Sequence, residues 1–100
     1  MTARYSALAR EDLFAAALFL ADTSEAAALR LIDAVEDAVS RLAQFPALGV
    51  ARPVLGRGNL RVWPLDRWII IYRVVEGTVE VARIIRSGRD LGSLSFDEEP

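Results

Sequence analysis

Apolar positions recur with helical spacing in the first half of the chain and crowd into short runs in the second. Ala28, Leu31, Ile32, Val35, Val39 and Leu42 follow the i, i+3, i+4, i+7 pattern closely. Asp33, Glu36, Asp37 and Arg41 fall on the other side, and Asp37 and Arg41 form an i,i+4 pair in the better orientation. This predicts an amphipathic helix over 25–44, entered from the capping segment Asp22-Thr23-Ser24 and ended by Pro46. Before it, Leu13, Ala16, Ala17 and Leu20, with Phe14 and Leu18 beside them, predict a helix over 7–21 capped by Ser6. That apolar stripe is broad, so burial on more than one side is expected. The short link makes the pair an antiparallel α-hairpin.

The later half changes period. Asn59–Trp63 reads as a strand, and Pro64, which cannot donate to a ladder, marks its end or a sheet edge. Leu65-Asp66 turns the chain into a strand over 67–75, where consecutive Ile69, Ile70 and Ile71 imply burial on both faces and a central position. Glu76-Gly77 suits a tight hairpin turn into a last strand over 78–86. Residues 46–58, with Pro46, Gly49, Pro53, Gly56 and Gly58, read as loop, and about 95–100 as a frayed acidic tail. Residues 2–5 carry little strand pattern of their own.

Composition agrees with this division. Of 16 Ala, 13 precede residue 46, whereas 59–86 holds ten Val or Ile. At 100 residues and 53% hydrophobic, the chain is one domain with a single core. Nothing resembles a signal peptide, and no run has the roughly 18–20 apolar residues that span a bilayer, so a cytoplasmic protein without a membrane partner is expected. The net charge of -2 hides a split. Residues 1–46 carry -3, residues 47–96 carry +4 and the last four carry -3. The basic stretch suggests an acidic partner or an ordinary Arg-rich sheet face.

The missing residue types narrow the chemistry. There is no Cys and no His, and all 12 basic residues are Arg. Disulfides, thiolate chemistry, the commonest metal ligands and the usual general base are therefore absent, and neither a metal nor an organic cofactor is expected. Asp33, Glu36 and Asp37 could hold a divalent ion, but a solvated helix face is the better account, and Glu11-Asp12 reads the same way. The Gly-containing loop lacks the Lys and Ser/Thr of a phosphate loop and leads into a strand. By strand alternation Arg67 and Arg73 share a face with Ile69 and Ile71, opposite Trp68, Ile70 and Tyr72. In the last strand Arg83 sides with Val79, Val81 and Ile85, while Glu80 and Arg86 side with Ala82 and Ile84. Arg thus emerges among apolar neighbours on both faces. It serves either as stems over apolar surface or as part of an Arg–Trp binding surface.

The order of features resembles the ParE/RelE toxin superfamily. The motifs are Arg41-Leu42-Ala43-Gln44-Phe45-Pro46, Gly49, Arg52-Pro53, Asn59-Leu60-Arg61 and Pro64-Leu65-x-Arg67. They continue with Ile70-Ile71-Tyr72-Arg73-Val74, Arg83-Ile84-Ile85 and Gly88-Arg89-Asp90-Leu91. The helix ending in Phe-Pro, the Tyr-Arg strand and the closing Arg-Asp look like the ParE branch, and the match runs from residue 2 to about 94. One departure is Arg86, where ParE-like chains often carry His.

The resemblance implies an α+β fold, β-α-α-β-β-β, with the hairpin packed on a small, mainly antiparallel sheet; the first strand rests on the resemblance alone. It also implies the toxin of a type II toxin–antitoxin pair, in hetero-oligomer with a cognate antitoxin that alone contacts DNA. The ParE branch implies a non-catalytic inhibitor of DNA gyrase. The alternatives are a RelE-like ribosome-dependent mRNA endonuclease and an antitoxin-binding homologue without activity. Lacking His and Lys, the chain has no evident proton acceptor for RNA cleavage, with Tyr5 and Tyr72 as the only candidate acids. Arg61, Arg83, Arg86 and Arg89 are expected to face the target. Arg67, Arg73, Trp63 and Trp68 are expected to bind the antitoxin or hold the fold, and no residue is assigned as catalytic.

Overall fold

Two serines set where the helices begin. In the computed structural model, which describes residues 1–52 and 59–97, Ser6 Oγ accepts from Ala9 N at 3.0 Å and starts α1 (Ala7–Ala21). Ser24 Oγ accepts from Ala27 N at 3.1 Å and starts α2 (Glu25–Gln44). Both satisfy amide donors that a helix's first turn leaves unpaired. Pro53, Gly56 and Gly58 of the expected loop, and 98–100 of the expected tail, lie outside the described residues. Among the described residues no helix is long and apolar enough to cross a membrane.

The strands are β1 (Thr2–Tyr5), β2 (Val50–Ala51), β3 (Arg61–Leu65), β4 (Trp68–Val75) and β5 (Thr78–Arg86). They form one sheet in the order β1-β5-β4-β3-β2, with β1 parallel to β5 and the other pairs antiparallel. This is the α+β arrangement expected, with β4 central. The helices and one sheet face enclose the main core, which includes Leu31, Val35, Leu42, Ile70, Tyr72 and Val81. The opposite face carries a second cluster of Leu60, Val62, Ile71, Ala82 and Ile85, closed by Leu94 and Phe96.

Three local expectations are corrected, and the expected sheet-edge position of Pro64 is met. Part of the expected loop pairs as β2, Val50 facing Val62 and Ala51 facing Arg61. Because β2 ends there, β3 is a sheet edge further on, and Pro64 sits inside the strand opposite Ile69. The β3–β4 turn falls on Asp66 (φ 57°) and Arg67, so Arg67 is an exposed turn residue and shares no buried face with Arg73. Of the expected frayed tail, Phe96 is only 8% exposed and packs into the second cluster beside Leu94.

A β-bulge overturns the face assignment in β5. Ile71 faces Arg83 but Tyr72 faces Val81, leaving Ala82 as the extra residue. Val79, Val81 and Ile84 therefore look toward the helices, and Ala82 and Ile85 look away. Arg83 leaves the company of Val79 and Val81, and Arg86 is separated from Ala82. Simple alternation fails here because it assumes an unbroken ladder.

Candidate functional site

The face of α1 turned away from the sheet is apolar. Ala9 and Ala16 are buried, but Phe14 is 67% exposed, Phe19 65% and Leu18 56%. The expected burial on more than one side is thus not met among the described residues: the sheet and α2 cover only one side of the helix. Beside this face a groove of about 290 Å³ runs between the helices, lined by Tyr5, Leu13, Phe14, Ala17 and Ile32 with Arg10 at its rim. It adjoins a depression holding Glu36, Val39 and Ser40, with Tyr5 and Leu13 common to both. Burial, reinforced by the charge of Glu36, raises the Tyr5 phenol above its ordinary pKa and keeps it protonated.

The four arginines expected to face a target do not form one group. Arg61 donates from Nη1 to Gly49 O at 2.6 Å, which ties it to the segment before β2. Tyr72 shapes the same segment: its Oη donates to Pro46 O at 2.6 Å and accepts from Gly49 N at 2.8 Å. A Cβ on Gly49 would lie 2.5 Å from that Oη, so only glycine fits. Burial raises the Tyr72 pKa, opposed by the Gly49 hydrogen bond and the charge of Arg61. The phenol is a fixed structural donor with no open access to solvent.

Arg83 is engaged just as fully. Its Nε and Nη2 donate to Asp12 Oδ2 and Oδ1 at 2.7 and 2.9 Å, and its Nη1 donates to Ser95 O at 2.7 Å. Asp12 Oδ2 also accepts from Ile84 N at 2.9 Å, where β1 has ended and β5 would otherwise present an unpaired edge amide. Asp12 is therefore no solvated helix residue, contrary to the sequence reading; nothing near it in sequence announced a partner 71 positions away. The hydrogen bond to Asp12, with the further charges of Asp97 and Glu11, raises the Arg83 pKa against the effect of burial. Arg73, 7% exposed, pairs with its cross-strand neighbour Glu80 at 2.8 Å, and Glu80 also pairs with Arg4 of β1 at 3.1 Å.

Arg86 and Arg89 are brought together. Gly88 (φ 91°) allows the tight turn in which Arg89 N bonds to Arg86 O, and both side chains are exposed. Arg86 lies over the Trp68 ring, 5.7 Å from its centroid. With Trp68, Phe19, Ala15 and Ala16 the pair lines a groove of about 280 Å³ between α1 and the end of the sheet. Trp68 also borders a depression on its other side, where Arg30 and Arg67 stand with Asp66. Trp63 is half-buried against the main core. The pairing of Phe19 with Arg86 could not be found by sequence, since it depends on the bulge. Among the described residues no cluster of carboxylates or other ligands could hold a metal.

The family model described as "ParE toxin of type II toxin-antitoxin system, parDE" matches residues 3–91. Among solved structures the chain is similar to one titled "Chromosomal ParDE TA system from P. aeruginosa", at 22% identity and a TM-score of 0.70. That alignment covers 86% of this chain and 95% of the other. No curated protein matches.

Proposed function

The chain belongs to the ParE toxin family of type II toxin–antitoxin systems, and on that premise we propose that it arrests growth by gripping a protein target, with DNA gyrase as that target, without breaking a bond. In this reading a cognate antitoxin neutralises it in the cytoplasm by covering the outer face of α1 and the groove between the helices. The antitoxin carries any DNA contact. The observation that supports this most is the exposed row Phe14, Leu18 and Phe19 beside an apolar groove. An apolar surface of this kind on a small domain marks a partner site. Apolar grooves between helices accept an amphipathic segment.

The chemistry favours binding over cleavage. Opening RNA at a 2′-OH needs a proton acceptor, and the chain has no His and no Lys. Tyr72 is fixed by Pro46 and Gly49, and Arg83 by Asp12 and Ser95. Arg73 serves the fold through Glu80. Arginine's planar donors remain well suited to holding carboxylates.

Induced expression with and without the neighbouring antitoxin gene tests the proposal. Growth arrest relieved by the neighbour, with altered plasmid supercoiling and intact translation, is expected. Site-specific mRNA cleavage on purified translating ribosomes, with purified gyrase unaffected, would overturn it in favour of the endonuclease reading. Antitoxin binding without any arrest would leave an inactive homologue.

A further inference from the structure

We infer that the groove between α1 and the end of the sheet is the target-facing site, and that its ligand is an acidic protein segment carrying an aromatic or large apolar anchor. This rests on the toxin reading above and deepens it. The floor is apolar: Phe19, Ala15 and Ala16 from α1 and Ile84 and Trp68 from the sheet. The small Ala side chains leave the depression that an anchor would fill. The rim is cationic: Arg86 and Arg89 project beside it, and no carboxylate among the described residues pairs with either. The one acid in the lining, Asp12, is already neutralised by Arg83. Cation over ring and cation beside apolar floor match a ligand that alternates carboxylates with an aromatic group.

A nucleic acid fits less well. Phosphate tracking needs a line of cations, whereas here only two stand beside a short, largely apolar groove. The antitoxin is the less economical source, because it has the larger apolar surface of α1. Phe19 belongs to both surfaces: an antitoxin lying on Phe14, Leu18 and Phe19 reaches the edge of the arginine groove. Neutralisation then follows from overlap at one side chain, with no change of fold.

The test uses the purified full chain and three polymers: the random copolymer poly(Glu,Tyr), polyglutamate and polyuridylate. Poly(Glu,Tyr) is expected to bind about tenfold more tightly than polyglutamate. It should shift the indole N–H signal of Trp68 well beyond that of Trp63. The double variant R86E/R89E should weaken this binding at least tenfold at an unchanged melting temperature, while R41E, at the far end of α2, leaves it as in the wild type. The same double variant should lose growth arrest yet still bind antitoxin, and antitoxin should displace poly(Glu,Tyr) from the wild type. Preference for polyuridylate, equal binding of the two acidic polymers, or poly(Glu,Tyr) binding indifferent to R86E/R89E overturns the inference. Loss of antitoxin binding in that variant also overturns it, by making the antitoxin the ligand. If the wild type arrests no growth, the toxin reading fails on its own, and the polymer measurements still decide the ligand chemistry of the groove.

Discussion

The outer face of α1 and the sheet face turned away from the helices are both apolar, but the described residues cover only the second. Over the sheet, Leu94 and Phe96 close the cluster of Leu60, Val62, Ile71 and Ile85, and Ser95 O is fastened by Arg83. Over α1 nothing of the described chain lies on Phe14, Leu18 or Phe19. The same hydrophobicity therefore supports the fold in one place and, in the reading proposed above, is held for a partner in the other. Burial in the folded state, and not residue type, separates the two.

The largest effect expected from breaking this contrast is at the clamp that fastens the tail. Asp12→Ala removes the carboxylate shared by the Arg83 guanidinium and the Ile84 amide, leaving Arg83 only Ser95 O, and should cost about 3–5 kcal/mol in urea unfolding. A loss below about 1 kcal/mol would show that the clamp adds little.

Next comes the covered surface itself. Phe96→Ala should cost about 3 kcal/mol, from lost burial and the cavity left behind. It should also expose the second cluster to a hydrophobic dye. An unchanged melting temperature would mean that the tail is no part of the core.

A smaller effect is expected at Tyr72. Tyr72→Phe deletes two hydrogen bonds to the 46–49 segment and should cost about 1–3 kcal/mol. The Tyr72 pKa is raised on folding from an ordinary 10.0, so the fold favours the protonated phenol. Its contribution is complete below that value and is lost as pH rises through the higher folded pKa. Wild-type stability should thus fall on the alkaline side, and less steeply in Tyr72→Phe. Equal pH profiles would contradict this.

The smallest change should come from the uncovered surface. Phe14→Ser and Leu18→Ser should alter the stability of the isolated chain by no more than about 0.5 kcal/mol. Affinity for the antitoxin should meanwhile fall about tenfold or more. A large stability loss in either variant would show that these side chains already belong to a core.

How much of this the sequence disclosed depends on the range of the interaction. The helices, their Ser6 and Ser24 caps, central β4 and the Glu76-Gly77 turn (φ 49° and 74°) were legible, because each rests on local spacing or local backbone preference. The two-residue strand β2 was not, being too short to show a period. Asp12 looked solvated since its partner Arg83 lies on the last strand. Acidic neighbours disguised the tail, although the spacing of Leu91, Leu94 and Phe96 carried a signal that it packs. At the candidate site, the residue types Arg and Trp were legible and their grouping was not. Ala82, the extra residue of the bulge, decides that Arg86 comes to lie over Trp68 beside Phe19.

The parallel pairing of β1 with β5 joins residues 76 positions apart. Asp97 strengthens the bond by accepting from Leu8 N at 3.1 Å, close to the start of α1. A growing chain can form its α-hairpin early, but β1 has no neighbour and Asp12 no guanidinium until β5 has emerged. The native state thus waits on contacts of high sequence separation, which slow folding. A product truncated before β5 lacks both the partner strand for β1 and the arginines of the groove.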